Sequence, residues 1–127
     1  LYRNNPCCRA VVHRHSTWST ARSCLEGLAP QNVIRPFTPY VVMRMGDIPL
    51  VPYYRPGDDR IARDLAALAA RHQAFLLANH GPVVCGEHLQ EAANNTEELE
   101  ETAKLIFILG ERPIRYLTTE EIAQLRR

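Results

Sequence analysis

Ala10-Val11-Val12-His13-Arg14-His15-Ser16 joins an apolar, β-branched run to two histidines one residue apart and then to a serine. Alternate side chains of an extended strand share a face, so a strand over Arg9 to His15 puts His13 and His15 on one side and Arg14 on the other. Two imidazoles so placed can share a metal ion; they can equally form an ordinary polar strand face. Ser16 is a good N-cap, and the pattern predicts a helix from Thr17 to Glu26 closed by Gly27. Within it Trp18, Ala21 and Leu25 recur at intervals of three and four, an apolar stripe for the core.

Downstream, Ala29 to Pro39 is proline-rich and reads as loop. Tyr40 to Met45 predicts a strand, Gly46-Asp47 a turn, and Ile48 to Tyr54 a returning strand, together a hairpin. Pro49 and Pro52 place that second arm at a sheet edge or against another chain. A helix over Asp59 to Arg71 presents Ile61, Leu65, Leu68 and Ala69 on one face, with Asp58 and Asp59 at its positive end. Ala74 to Ala78 is a short apolar strand broken by Asn79-His80-Gly81-Pro82 and resumed by Val83-Val84-Cys85. His80 therefore stands at a strand-to-turn junction, where Gly81 permits close backbone approach. Glu87 to Leu109 is the longest helical pattern, stopped by Gly110. Its Glu97, Glu98, Glu100 and Glu101 fan around the axis and read as a solvated face. Thr118-Thr119-Glu120-Glu121 is a capping box for a last short helix.

With 127 residues and 46% hydrophobic content, the chain is long enough for one domain with a single core, residues 1–127. Fifteen basic and 14 acidic residues leave a formal charge of +1, so no field of one sign draws in nucleic acid or an anionic membrane. No apolar run approaches the about 20 residues that span a bilayer. Cys7, Cys8, Cys24 and Cys85 show neither CxxC spacing nor a disulfide framework, and reduced thiols in a cytoplasmic protein are the simplest reading. The opening Leu1-Tyr2-Arg3-Asn4-Asn5-Pro6, without an initiator Met, suggests a piece of a longer polypeptide, or a processed or engineered terminus.

With His80 the pair becomes three histidines on two strand-end segments. Three neutral imidazoles and an open fourth position make a catalytic rather than structural zinc arrangement. His72 and His88, at a helix end and a helix start, have no partner motif and read as surface residues.

His13-Arg14-His15-Ser16-Thr17, followed much later by Asn79-His80-Gly81, resembles the metal signature of the class II aldolase/adducin-head family of sugar-phosphate lyases and epimerases. The resemblance runs from about Ala10 to Leu117. Stretches His15 to Thr20, Asn32 to Tyr40, Val51 to Asp58 and Leu76 to Val84 agree in order and spacing with a decarboxylating branch of that family. The resemblance implies His13, His15 and His80 as zinc ligands, and Tyr40 as a proton donor that in the aldolases reaches the site from a neighbouring subunit. Read without it, Tyr40 is an ordinary strand aromatic. It also implies an α/β three-layer sandwich, a mainly antiparallel central sheet flanked by helices, assembled as a homotetramer. The implied substrate is a phosphorylated sugar acid. The implied reaction is zinc-dependent decarboxylation of 3-oxo-tetronate 4-phosphate to dihydroxyacetone phosphate and carbon dioxide through a metal-stabilised enediolate. The alternatives are a sugar-phosphate aldolase or 4-epimerase, and a non-catalytic adducin-head-like interaction module.

Two departures stand out. The family's catalytic glutamate and phosphate-binding loops precede the His-x-His strand, and no acidic residue stands before His13 here. The chain therefore resembles roughly the C-terminal three-fifths of a full-length member and is expected to be inactive by itself. Arg14 occupies a position where relatives often carry an uncharged residue.

Overall fold

A computed structural model describes residues 8–126; the expectations for Leu1 to Cys7 lie outside them. The sheet grows from a hairpin of β3 (Ala74–Leu77) and β4 (Gly81–Gly86), antiparallel with Phe75 opposite Val83 and Leu76 opposite Pro82. The connection Ala78-Asn79-His80 turns the chain with Asn79 at φ 57°, the left-handed region that asparagine tolerates well. β1 (Ala10–His13) adds antiparallel to the other side of β4, with Val12 opposite Val84 and His13 opposite Val83. β2 (Leu50–Val51) adds parallel to β3, giving the order β1-β4-β3-β2. The result is a mixed sheet of four strands, antiparallel in two of its three pairings, flanked by helices.

β3 and β4 are buried on both faces, which explains their unbroken apolar sequence. Alternation then sorts the side chains. Ala74, Leu76 and Val84 join Val33, Ile34, Val41, Met45, Ile48 and Leu99 in one cluster. Phe75, Leu77 and Val83 join Val51 in another, against Ile61, Leu65 and Leu68. Those last three lie on α3 (Asp59–Leu68), so α3 covers one face of the sheet. α1 (Thr17–Ser23), α2 (Pro39–Arg44) and the long α4 (Leu89–Leu109) make up the opposite layer, and α5 (Thr119–Leu125) packs against α2. Among the described residues no helix is long and apolar enough to cross a membrane.

Two local expectations are overturned. Tyr40 to Met45 is not the first arm of a hairpin: Pro39–Arg44 is helical, with Thr38 extended as N-cap and Pro39 in the first turn. Proline is pre-organised there, and Val41 and Met45, four apart, bury one helical stripe, which outweighs the β preference of two valines. The proline-bearing Ile48 to Tyr54 does lie at the sheet edge, but its strand is two residues long and runs parallel to β3. α1 ends at Ser23 rather than Glu26, and it buries Ser19 and Ser23 instead of the stripe ending at Leu25, which is 43% exposed. Trp18 is half-buried against Phe107 of α4.

The capping box on α5 forms as expected, Thr118 accepting from the Glu121 amide and Glu121 from the Thr118 amide. His88 stays exposed and caps α4, its Nδ1 accepting the Glu91 N–H at 3.1 Å. His72 is half-buried rather than a surface residue, with Nδ1 3.1 Å from the Asp47 carbonyl and its ring against Phe75.

Candidate metal centre

His13 closes β1, His15 lies two residues past it, and His80 ends the turn before β4. Their nearest nitrogens all lie within 4.8 Å of one another. His80 Nε2 sits 3.2 Å from His13 Nε2 and 3.0 Å from His15 Nε2. Among the described residues this is the one group of three metal-ligating side chains so gathered.

Strand alternation is only part of the reason. The strand stops at His13, so His15 reaches the group through the loop that leads into α1, and His80 stands between the two. His13 is placed by the sheet itself. Alternate residues of β4 turn their backbone polar groups to alternate neighbours: the Cys85 N–H bonds Gln73 next to β3, and the Gly86 carbonyl accepts from Arg9 next to β1. By that parity Pro82 faces β1 where β1 has just ended. A missing N–H does no harm there, which accounts for a proline in a central strand. Its carbonyl accepts the His13 ring N–H at Nδ1, 2.8 Å away.

That hydrogen bond has an electronic consequence. With the proton on Nδ1, the lone pair of His13 Nε2 points at the other imidazoles. Burial lowers the pKa of His80, and the neighbouring His13 and His15 lower it further. Three imidazole nitrogens gathered in this way suit a shared cation. Neutral nitrogen donors leave a divalent ion its full charge, so the donor set fits a Lewis-acid metal such as zinc.

Gly81 and α1 hold His80 in register. The Asn79 N–H donates to the Ser23 carbonyl at 2.9 Å, and the Thr20 hydroxyl faces the His80 carbonyl at 3.5 Å. Tyr40 is elsewhere: it lies on α2, 56% exposed, and α2 packs on α4 and α5 rather than on the histidine-bearing elements.

One side chain near the centre was missed by the sequence reading. Glu100, assigned to a solvated face, is half-buried and turns its carboxylate to the start of α1. The signal was present in the helical phase. Ala92, Thr96, Leu99 and Ala103 form the buried stripe of α4, and Glu100 stands four residues after Thr96 at its border.

The family model for the class II aldolase and adducin N-terminal domain matches residues 1–107. The chain belongs to this family. A 3-oxo-tetronate 4-phosphate decarboxylase of Escherichia coli O6:H1 is 84% identical over 126 residues, covering 99% of this chain and 59% of that protein. An L-fuculose phosphate aldolase of Methanococcus maripaludis is 33% identical over 110 residues, covering 87% of this chain and 57% of that protein. The crystal structure of YgbL from Escherichia coli matches with a TM-score of 0.98 at 82% identity, over 99% of this chain and 61% of that one. The chain thus spans about three-fifths of the length of these class II aldolase relatives.

Proposed function

We propose that this chain carries the metal centre of a carbon-carbon lyase that decarboxylates 3-oxo-tetronate 4-phosphate, with His13, His15 and His80 as zinc ligands. The observation that carries the reading is the convergence of the three Nε2 atoms, one of them freed for ligation by the His13 to Pro82 hydrogen bond. The name borne by the relative at 84% identity supports the substrate, a phosphorylated sugar acid. A zinc ion held by these nitrogens would supply a Lewis acid for the negative charge that develops as carbon dioxide departs. The chain's own residues would hold that ion at a β-sheet end, where His13 and His15 are exposed. Protonation of the resulting carbon, giving dihydroxyacetone phosphate, falls to Tyr40. Its exposure on α2, beside the 61% exposed Met43, suits donation into the site of a neighbouring copy in a homotetramer.

The test is release of carbon dioxide and dihydroxyacetone phosphate from 3-oxo-tetronate 4-phosphate by the purified full-length protein loaded with zinc. His13→Ala abolishes both products; retention of both in that variant refutes the assignment. The second reading, a sugar-phosphate aldolase or epimerase on the same three histidines, draws on the 33% identical relative. An aldehyde product, or stereochemical inversion without cleavage, selects it instead.

A further inference from the structure

We propose that Glu100 is a positioning residue of the histidine centre: its carboxylate pins the first turn of α1, and α1 sets the spacing of His15 from His80. The inference rests on the metal reading above and adds to it a residue outside the ligand set.

A helix begins with amide N–H groups that have no partner inside the helix. Ser16 is in the N-cap position of α1, yet its side chain makes no capping hydrogen bond, and the first turn contains no acidic residue. The missing acceptor comes from α4. Glu100 Oε2 accepts the Trp18 N–H at 3.0 Å, and Oε1 accepts the Ser19 N–H at 2.8 Å and the Ser19 hydroxyl at 2.9 Å. Ser19 is 1% exposed, so two of the three bonds end on a buried residue, while the half-buried carboxylate keeps one side toward solvent. Three hydrogen bonds to one charged acceptor are individually stronger than neutral ones, and a negative charge is favoured at this end of a helix.

The location gives the cap its function. α1 starts two residues after His15, and its first backbone bond runs from the Thr20 N–H to the Ser16 carbonyl at 2.9 Å. Its other side receives the turn that carries His80, through Thr20 and Ser23. α1 is therefore a bracket between two of the three ligands. Freed from Glu100, it shifts or frays at its first turn, and the 3.0 Å separation of the His15 and His80 nitrogens goes with it. His13 does not share this dependence, because β1 and Pro82 hold it. Loss of Glu100 thus loosens two ligands and spares the third.

The test compares Glu100→Gln with Glu121→Ala, which removes the side-chain acceptor of the α5 capping box away from the centre, in the full-length protein. The readouts are zinc affinity by chelator competition, the visible absorption of the cobalt(II)-substituted protein, and thermal stability without metal. Glu100→Gln weakens zinc binding by about 10- to 100-fold, the range for groups that orient metal ligands, and alters the cobalt spectrum. Glu121→Ala lowers metal-free stability and leaves both metal readouts as in the wild type. Wild-type zinc affinity and an unchanged cobalt spectrum in Glu100→Gln overturn the proposal, whatever happens to its melting temperature. Should Glu100→Gln not fold, Ser19→Ala removes one of the three bonds and shows a smaller loss of affinity in the same direction; unchanged affinity there overturns it as well. A wild-type protein that binds neither ion sinks the metal reading itself, an outcome distinct from normal binding in both wild type and variant.

Discussion

Replacing Gly81 by alanine tests how the centre is assembled. Gly81 opens β4 directly after His80 with φ at +147°, a region that side chains rarely adopt. A Cβ there lies 2.8 Å from the Arg14 carbonyl oxygen and 3.2 Å from Thr20 Oγ1. The first is too close for any real Cβ contact and involves backbone, so the chain itself must move. Both neighbours belong to the histidine centre: Arg14 lies between His13 and His15, and Thr20 faces the His80 carbonyl. Backbone strain contributes about 1–3 kcal/mol and overpacking a further 1–3 kcal/mol or so, together about 2–6 kcal/mol. At about 4 °C per kcal/mol for a domain of this size, the melting temperature falls by roughly 8 to 24 °C. Gly57→Ala is the control. Its φ is +89° with nothing within 4 Å of the added Cβ, so it carries strain alone, about 1–3 kcal/mol, and lies outside the centre. The assays are thermal melts followed by circular dichroism and zinc titration against a chelator. The refuting result is a Gly81→Ala protein that melts with Gly57→Ala and binds zinc like the wild type.

Zinc at a hundredfold excess over its Kd stabilises the folded protein by about 2.7 kcal/mol, seen as a rise in melting temperature that a chelator reverses and His13→Ala abolishes; no rise counts against a bound ion. The Cys85 thiol is pushed up to about 12, first by burial and then by its hydrogen bond with Cys8, whereas Cys24 is exposed. At pH 8 an alkylating reagent read out by peptide mass spectrometry therefore labels Cys24 and leaves Cys85 intact, and equal labelling contradicts the packing of β4. The hydrogen bonds from Arg60 hold the Asp58 carboxyl at about 2 against its usual 3.8. Because the folded value is the lower one, the stability it contributes is present above pH 3.8 and is lost as pH falls through about 2. An NMR titration of the Asp58 carboxyl carbon checks this, and a midpoint near 3.8 removes the cap of α3.

What the sequence disclosed follows the range of the interactions. The helix from Asp59 and the α5 capping box are written in local spacing, because Ile61, Leu65 and Leu68, or Thr118 and Glu121, meet within one or two turns, and the apolar runs on either side of Asn79-His80 marked two strands without showing that they pair. The layered α/β sandwich and the three histidines were legible through the family pattern, and the geometry brings those histidines together. Tyr40 to Met45 misled because a valine pair suggests a strand, whereas Thr38-Pro39 starts a helix and burial of Val41 and Met45 completes it. The helical phase of α4 showed that Glu100 borders the buried stripe, but not what its carboxylate would meet. Its partners, Trp18 and Ser19, lie some eighty residues away, and only the packing of α1 on α4 turns a surface-type glutamate into a cap.

Two kinds of support meet in one centre, and they differ in strength. His13 is tied to β1 and, through it, to β4, whose Val84 and Cys85 are fully buried. That side yields only when the sheet yields. His15 and His80 depend on α1, a helix of seven residues, well short of the roughly 12–15 at which an isolated helix holds together even marginally. Its stability is therefore tertiary, drawn from Glu100 at its start, Trp18 against Phe107 and the Asn79 bond at its end. The expected outcome is that chelator competition along a thermal ramp shows zinc affinity declining before circular dichroism reports the global transition, because warming loosens the His15 and His80 side while His13 is still in place.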